Sequence, residues 1–124
     1  MKKYITFGSP SIGKEEIKAV TKCLKSGWIG TGPLVKKFEK KFSDYSKSKF
    51  AIAVGSCTAA LHLSLNSINL SKDDEVIVPA MTFCSTVNSI LHSDYKPVLA
   101  DVNLKTMNID PEEIEKKITK KTKA

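Results

Sequence analysis

The chain has 124 residues, with 20 basic against 13 acidic side chains and a formal net charge of +7. A hydrophobic content of 41% with 27% charged residues excludes intrinsic disorder, and six Gly with five Pro exclude collagen-like or linker sequence. No run approaches the ~20 consecutive apolar residues that a membrane-spanning helix requires.

The opening residues 1–8 start basic, but Gly8 and Pro10 come too early for a signal-peptide core, so a cytoplasmic protein is expected. Residues 14–26 predict an amphipathic helix: Ile17, Val20 and Leu24 fall on one face, Glu15 and Glu16 occupy the first turn, and Gly27 is placed to end it. A Gly-rich loop over 27–32 follows, and Pro33 suits the first position of a second helix. Leu34, Val35, Phe38, Phe42 and Tyr45 give that helix an apolar stripe, with lysines on the other side. Residues 50–54 (Phe-Ala-Ile-Ala-Val) predict a buried strand stopped by Gly55, and a helix follows at once over 56–65. A second strand is expected over 75–78, closed by Pro79. A loop and helix span 82–92, with a third strand over 97–102. Asp110, Pro111 and Glu113 predict an N-cap, a first helical residue and the reciprocal partner of a capping box.

Strands alternating with helices imply β-α-β units in a mostly parallel sheet with flanking helices, an α/β fold. Near-continuous apolar strands are those buried on both faces. Three parallel strands make a small sheet, and the chain stops where a further strand is due. The expectation is therefore the N-terminal portion of a larger domain. Within it, residues 1–48 carry two helices and a loop, and residues 49–124 begin the sheet.

The candidates for chemistry lie in three loops. In the first, Ser56, Cys57, Thr58 and Ala59 stand where a strand hands over to a helix. The first helical N–H groups lack internal partners and carry partial positive charge, so small hydroxyl residues there form a phosphate cradle or an ordinary N-cap. Phe83 follows the next strand, and ligands in open α/β sheets bind beyond the carboxyl ends of strands. Its ring either stacks on a flat ligand or packs in the core. The loop at 28–33 joins an aromatic to a flexible run and reads equally as a substrate-facing loop or a plain connection.

Other chemistry finds less support. Cys23, Cys57 and Cys84 are odd in number and widely spaced, so no disulfide framework or zinc signature is present. Cys57 and Cys84 are expected in loops, and all three thiols are read as small, buried apolar groups. His62 and His92 have no second His or Cys at ligand spacing, so no metal is expected. All 20 basic residues are Lys. Nucleic-acid readers rely on bidentate Arg, which argues against a nucleic-acid partner, although Lys116, Lys117, Lys120, Lys121 and Lys123 crowd together.

Five stretches in order resemble one family. They are 26–33 (Ser-Gly-Trp-Ile-Gly-Thr-Gly-Pro) followed by Phe38-Glu39, then 55–63 (Gly-Ser-Cys-Thr-Ala-Ala-Leu-His-Leu), then 74–79 with Thr82-Phe83, then Pro97-Val98 with Asp101-Val102, and finally 108–110. The chain resembles the DegT/DnrJ/StrS family of nucleotide-sugar aminotransferases over essentially its whole length. The resemblance implies the large domain of the aspartate-aminotransferase-like fold (fold type I) and pyridoxal 5'-phosphate as cofactor. It implies that Ser56, Cys57, Thr58 and Ala59 hold the cofactor phosphate and that Phe83 stacks on the pyridine ring. Gly30, Thr31 and Gly32 are implied near a sugar-nucleotide site at a dimer interface. The expected reaction moves an amino group from glutamate to a nucleotide-linked keto-deoxy sugar, for surface polysaccharide synthesis. The family's Schiff-base lysine and the acid that pairs with the pyridine nitrogen lie downstream of the matched region. No catalytic residue is therefore expected in this chain, and the chain alone is expected to be inactive. The alternatives from other classes are a small Lys-rich polyanion-binding module and a non-functional gene remnant.

Overall fold

The computed structural model describes residues 7–124. Residues 1–6, whose basic start bears on the targeting expectation, lie outside the described residues. The elements are α1 (Lys14–Lys25), α2 (Pro33–Ser46), α3 (Cys57–Ser67), β1 (Glu75–Pro79), α4 (Cys84–His92), β2 (Lys96–Ala100) and α5 (Pro111–Lys117). They fall into two compact units, one ending at Ala53 and the other spanning Val54–Ala124.

The first unit holds α1 and α2. Glu16 closes the start of α1 by accepting the Gly13 N–H at 2.6 Å. That contact, with a hydrogen bond from the Glu16 backbone N–H itself, holds its carboxyl below the usual range. Gly27 ends α1 with a φ of 76°, a left-handed turn that only glycine adopts freely. Pro33 opens α2, and Lys47 ends it in the left-handed region at φ 56°. Phe38 and Phe42 stand one turn apart with ring centroids 6.1 Å from each other. Both stay more than half exposed, as do Ile17, Val20 and Leu24 of α1.

Residues 50–54 do not form the expected strand. Phe50 and Ile52 are 75% and 82% exposed. A strand exists only as one rail of a ladder, and no neighbouring strand pairs this segment among the described residues. Its Ala53 N–H instead donates to Glu39 Oε1 at 2.9 Å. A side-chain carboxylate from α2 thus satisfies the backbone where a strand partner would.

The second unit is built on a parallel pair. β1 and β2 run in register from Glu75 opposite Lys96 to Pro79 opposite Ala100. Pro97 sits in β2, whose outer side carries no strand among the described residues, and an edge tolerates the missing N–H. The other side of β1 is engaged by the chain end. Thr122 bridges Glu75 in parallel, the Lys123 N–H donates to the Glu75 carbonyl at 3.0 Å, and the Ile77 N–H donates to the Ala124 carbonyl at 2.9 Å. Residues 121–124 therefore start a third parallel rail on β1.

The two faces of β1 follow the period-2 rule. Val76 and Val78 pack with Ile90 of α4, flanked by Leu65, Leu70, Val87 and Tyr95. On the opposite face, Ile77 lines a cavity with Ile109, Ile114 and Ile118. Glu75, on the same side as Ile77, is buried and ionised: Lys96 Nζ donates to it at 2.9 Å and Thr119 Oγ1 at 2.6 Å. These donors favour the charged form and hold its carboxyl below the usual 4.5.

The α5 cap corrects a second expectation. Asp110 does cap the helix, accepting the Glu112 N–H at 3.0 Å. Glu113 does not complete a capping box, because the Asp110 N–H is already given to the Asp101 carbonyl at 3.0 Å. Glu113 pairs with Lys116 at 2.6 Å instead.

Candidate cofactor site

Ser56 caps α3. Its backbone is extended, and its Oγ accepts the Ala59 N–H at 3.1 Å. Cys57 and Thr58 are the first two helical residues, and both are exposed. Their N–H groups lie in the first turn, where no carbonyl of the helix can receive them. The charges around the helix starts differ. α1 and α5 place two acids each in the first turn, whereas α2, α3 and α4 have none there, and of these three only α3 has a side-chain cap. The positive end of α3 is thus uncompensated and open to an anion. Gly55, just before the cap, would carry a Cβ into open space.

Phe83 precedes α4 with an extended backbone (φ −68°, ψ 141°) and is 75% exposed. It is not a core residue. The loop it belongs to is fastened to α4 by a 2.9 Å hydrogen bond between the hydroxyls of Thr82 and Thr86. α3 and α4 flank the same face of β1. Leu61 and Leu65 of α3 and Ile68 at its C-cap share a groove with Val76, Val78 and Pro79 of β1 and with Thr86 and Ile90 of α4. α4 follows β1 after four residues, so Phe83 lies just beyond the carboxyl end of β1.

The structure revises the reading of the thiols. Cys57 and Cys84 are the first residues of α3 and α4 rather than loop residues, and both are exposed. A helix's first turn projects outward from the sheet edge, which the apolar runs before these residues do not reveal. Cys23 is half-buried and donates to the Trp28 carbonyl at 3.2 Å.

Gly30, Thr31 and Gly32 belong to the first unit. Gly30 and Thr31 are exposed, and Gly32 is buried as the N-cap of α2. The loop borders a cleft of about 330 Å³ lined by Lys22, Cys23, Trp28 and Leu34 among others. The Ser26 hydroxyl ties its entrance, donating to the Cys23 carbonyl at 2.6 Å and accepting from the Trp28 N–H at 3.2 Å.

Two arrangements were missed by sequence reasoning. One is the Glu75 cluster, which joins residues 21 and 44 positions apart; only a buried acid opening a strand hinted at it. The other is the approach of His62 and His92, 30 positions apart in sequence, which topology alone creates.

A family model for the DegT/DnrJ/EryC1/StrS aminotransferases matches residues 10–124. The chain belongs to this family. It is 47% identical over 121 residues to the spore coat polysaccharide biosynthesis protein SpsC of Bacillus subtilis, covering 98% of this chain and 31% of that protein. It is 52% identical over 115 residues to the uncharacterised protein MJ1066 of Methanocaldococcus jannaschii, covering 93% of this chain and 30% of that one. Among solved structures it superposes on Streptococcus pneumoniae Spr1654, described as a sugar aminotransferase and solved in PLP-, PMP- and apo-forms. The TM-score is 0.87 at 40% identity, over 96% of this chain and 30% of that one. It also superposes on the E. coli GDP-4-keto-6-deoxy-D-mannose-3-dehydratase with bound hydrated PLP, with a TM-score of 0.85 at 30% identity over 93% of this chain and 31% of that one. The DegT/DnrJ/EryC1/StrS chain described here thus has the α/β fold of these enzymes and spans about 30% of the length of the relatives it matches.

Proposed function

We propose that these residues supply the phosphate cradle and the substrate loop of a cytoplasmic, homodimeric, pyridoxal-phosphate-dependent aminotransferase. Its substrate is a nucleotide-linked keto-deoxy sugar and its donor is glutamate. The product serves surface polysaccharide synthesis, as the name of SpsC does for that relative. The observation that carries this reading is the start of α3: a capped, exposed helix end with no acid in its first turn.

The donor set there fits a phosphate. The Cys57 and Thr58 N–H groups and the Thr58 hydroxyl offer hydrogen bonds to an anion, while Ser56 holds the Ala59 N–H and fixes the turn. Ala59, partly covered, keeps the cradle shallow. Phe83 offers an exposed ring face beyond the carboxyl end of β1 for an aromatic heterocycle. When bound, pyridoxal phosphate supplies an electron sink for the carbon next to the reacting nitrogen. Gly30, Thr31 and Gly32 form the loop assigned to the sugar nucleotide. None of the 20 lysines stands at the family's imine-forming position, so these 124 residues alone do not transaminate.

The test uses a full-length protein containing this segment. Thr58→Ala and Phe83→Ala should each lower the visible absorbance of bound cofactor that survives gel filtration. Spectra identical to the parent in both variants would remove the site assignment. Transamination by the 124-residue polypeptide alone would overturn its proposed inactivity.

A further inference from the structure

The only two histidines of the chain meet across α3 and α4. His62 lies midway along α3 and is half-buried, and His92 is the last, exposed residue of α4. Their ring centroids are 6.2 Å apart and their planes are inclined at 70°. Both helices pack on the same face of β1, with Leu61, Leu65 and Ile90 lining one groove. The packing of α3 against α4 in the second unit therefore brings the two residues together.

We propose that His62 and His92 form a two-imidazole site for a divalent transition-metal ion of the zinc, nickel or copper class. The argument is geometric. A metal held by two imidazole nitrogens at about 2.0–2.1 Å places the ring centres about 5–6 Å apart, depending on the angle at the metal. The observed separation is within a few tenths of an ångström of that range. Imidazole is the nitrogen ligand these ions favour. No third His, Cys, Asp or Glu completes the cluster among the described residues, so water fills the remaining positions. The site is then one of modest affinity that reads the packing of α3 against α4. It is distinct from the cradle: no residue of 56–59 and no thiol is a ligand.

The test adds Ni²⁺ alone to the 124-residue chain and follows the two imidazole Cε1–H signals by NMR. Both signals should broaden in parallel and saturate at one ion per chain. His62→Gln should remove the response of His92, and His92→Gln that of His62. Zn²⁺ should raise the thermal midpoint of the parent chain and leave both variants unmoved. Broadening of one histidine without the other, or a Zn²⁺ shift that survives in either variant, as binding at the exposed Cys57 or Cys84 would give, overturns the assignment. The NMR arm keeps the proposal falsifiable should either substitution weaken the fold.

Discussion

In the first unit, α1 and α2 keep Ile17, Val20, Leu24, Phe38 and Phe42 at least half exposed. In the second, Val76, Val78, Ile90 and Ala100 are buried, and these are the buried apolar side chains of the described residues. The helical periodicity is clearer in the first unit than in the second, where α3 has almost none. The difference lies in what the apolar faces meet. β1 and β2 present side chains on two faces, and α4 closes over one of them. Among the described residues, the first unit contains no strand of its own. Amphipathic patterning thus predicts an element without predicting its partner, because helix stability in proteins comes mostly from packing.

The largest expected effect sharpens this contrast. Ile90→Ala should cost about 2–5 kcal/mol, since it empties a buried site in a small core. That approaches the whole stability of a domain this size. Phe42→Ala should cost about 1 kcal/mol or less, because half of its surface already meets water. Amide exchange measures both: Ile90→Ala should erase protection at Val78, and Phe42→Ala should leave it. Equal losses would show that the first unit has a core of its own.

The next effect concerns the seam between β1 and the chain end. Glu75 is held ionised by Lys96 and Thr119, with its carboxyl below the usual 4.5. A lowered carboxylate contributes stability that is fully present above the unfolded value. That contribution is lost as the pH falls below 4.5 through the depressed folded value. Lys96, raised above 10.5 by the same pair, contributes until the pH rises through its folded value. Acid should therefore release residues 119–124 from β1 before the Val76–Val78–Ile90 cluster opens. Glu75→Gln should abolish that early step. A parent chain in which the protection of Ile77 and Val78 falls together at one pH would contradict this order.

The legible parts of the chain are those set by local chemistry. α1, α2, α4, β1 and β2 stand within a few residues of their expected places, because period, caps and Pro33 act within one element. The misses share a different cause. Residues 50–54 have strand composition but no rail to pair with. Glu113 has capping-box spacing, but Asp101 had already taken the N–H it would receive. Cys57 and Cys84 follow apolar runs, yet a helix start turns them outward. Phe83 was open between core and ligand face, and its exposure removes the core. His62 and His92 are far apart in sequence, and only the pairing of α3 with α4 makes them neighbours.

The smallest expected effect tests whether the first unit, with no buried apolar side chain among its described residues, still has fixed geometry in its loop. Gly32 has a φ of −148°, extended backbone that any residue adopts, so its glycine is not required by conformation. A Cβ placed there would stand 3.0 Å from Trp28 Cε3 and 3.3 Å from Trp28 Cβ. The near contact at Trp28 Cβ is close to the backbone, so turning the ring relieves only part of the clash and the loop itself must give. Gly30, two residues earlier, would carry its Cβ into empty space. Trp28 is the sole tryptophan, so its emission reports on this loop alone. Gly32→Ala should shift that emission towards the fully hydrated value, while Gly30→Ala should leave it unchanged. The indole is already mostly in water, so the cost of Gly32→Ala falls at or below the lower end of the ~1–3 kcal/mol of overpacking in a core. Identical spectra for both variants would mean that the indole does not rest on Gly32. The order of the first unit would then end at its two helices.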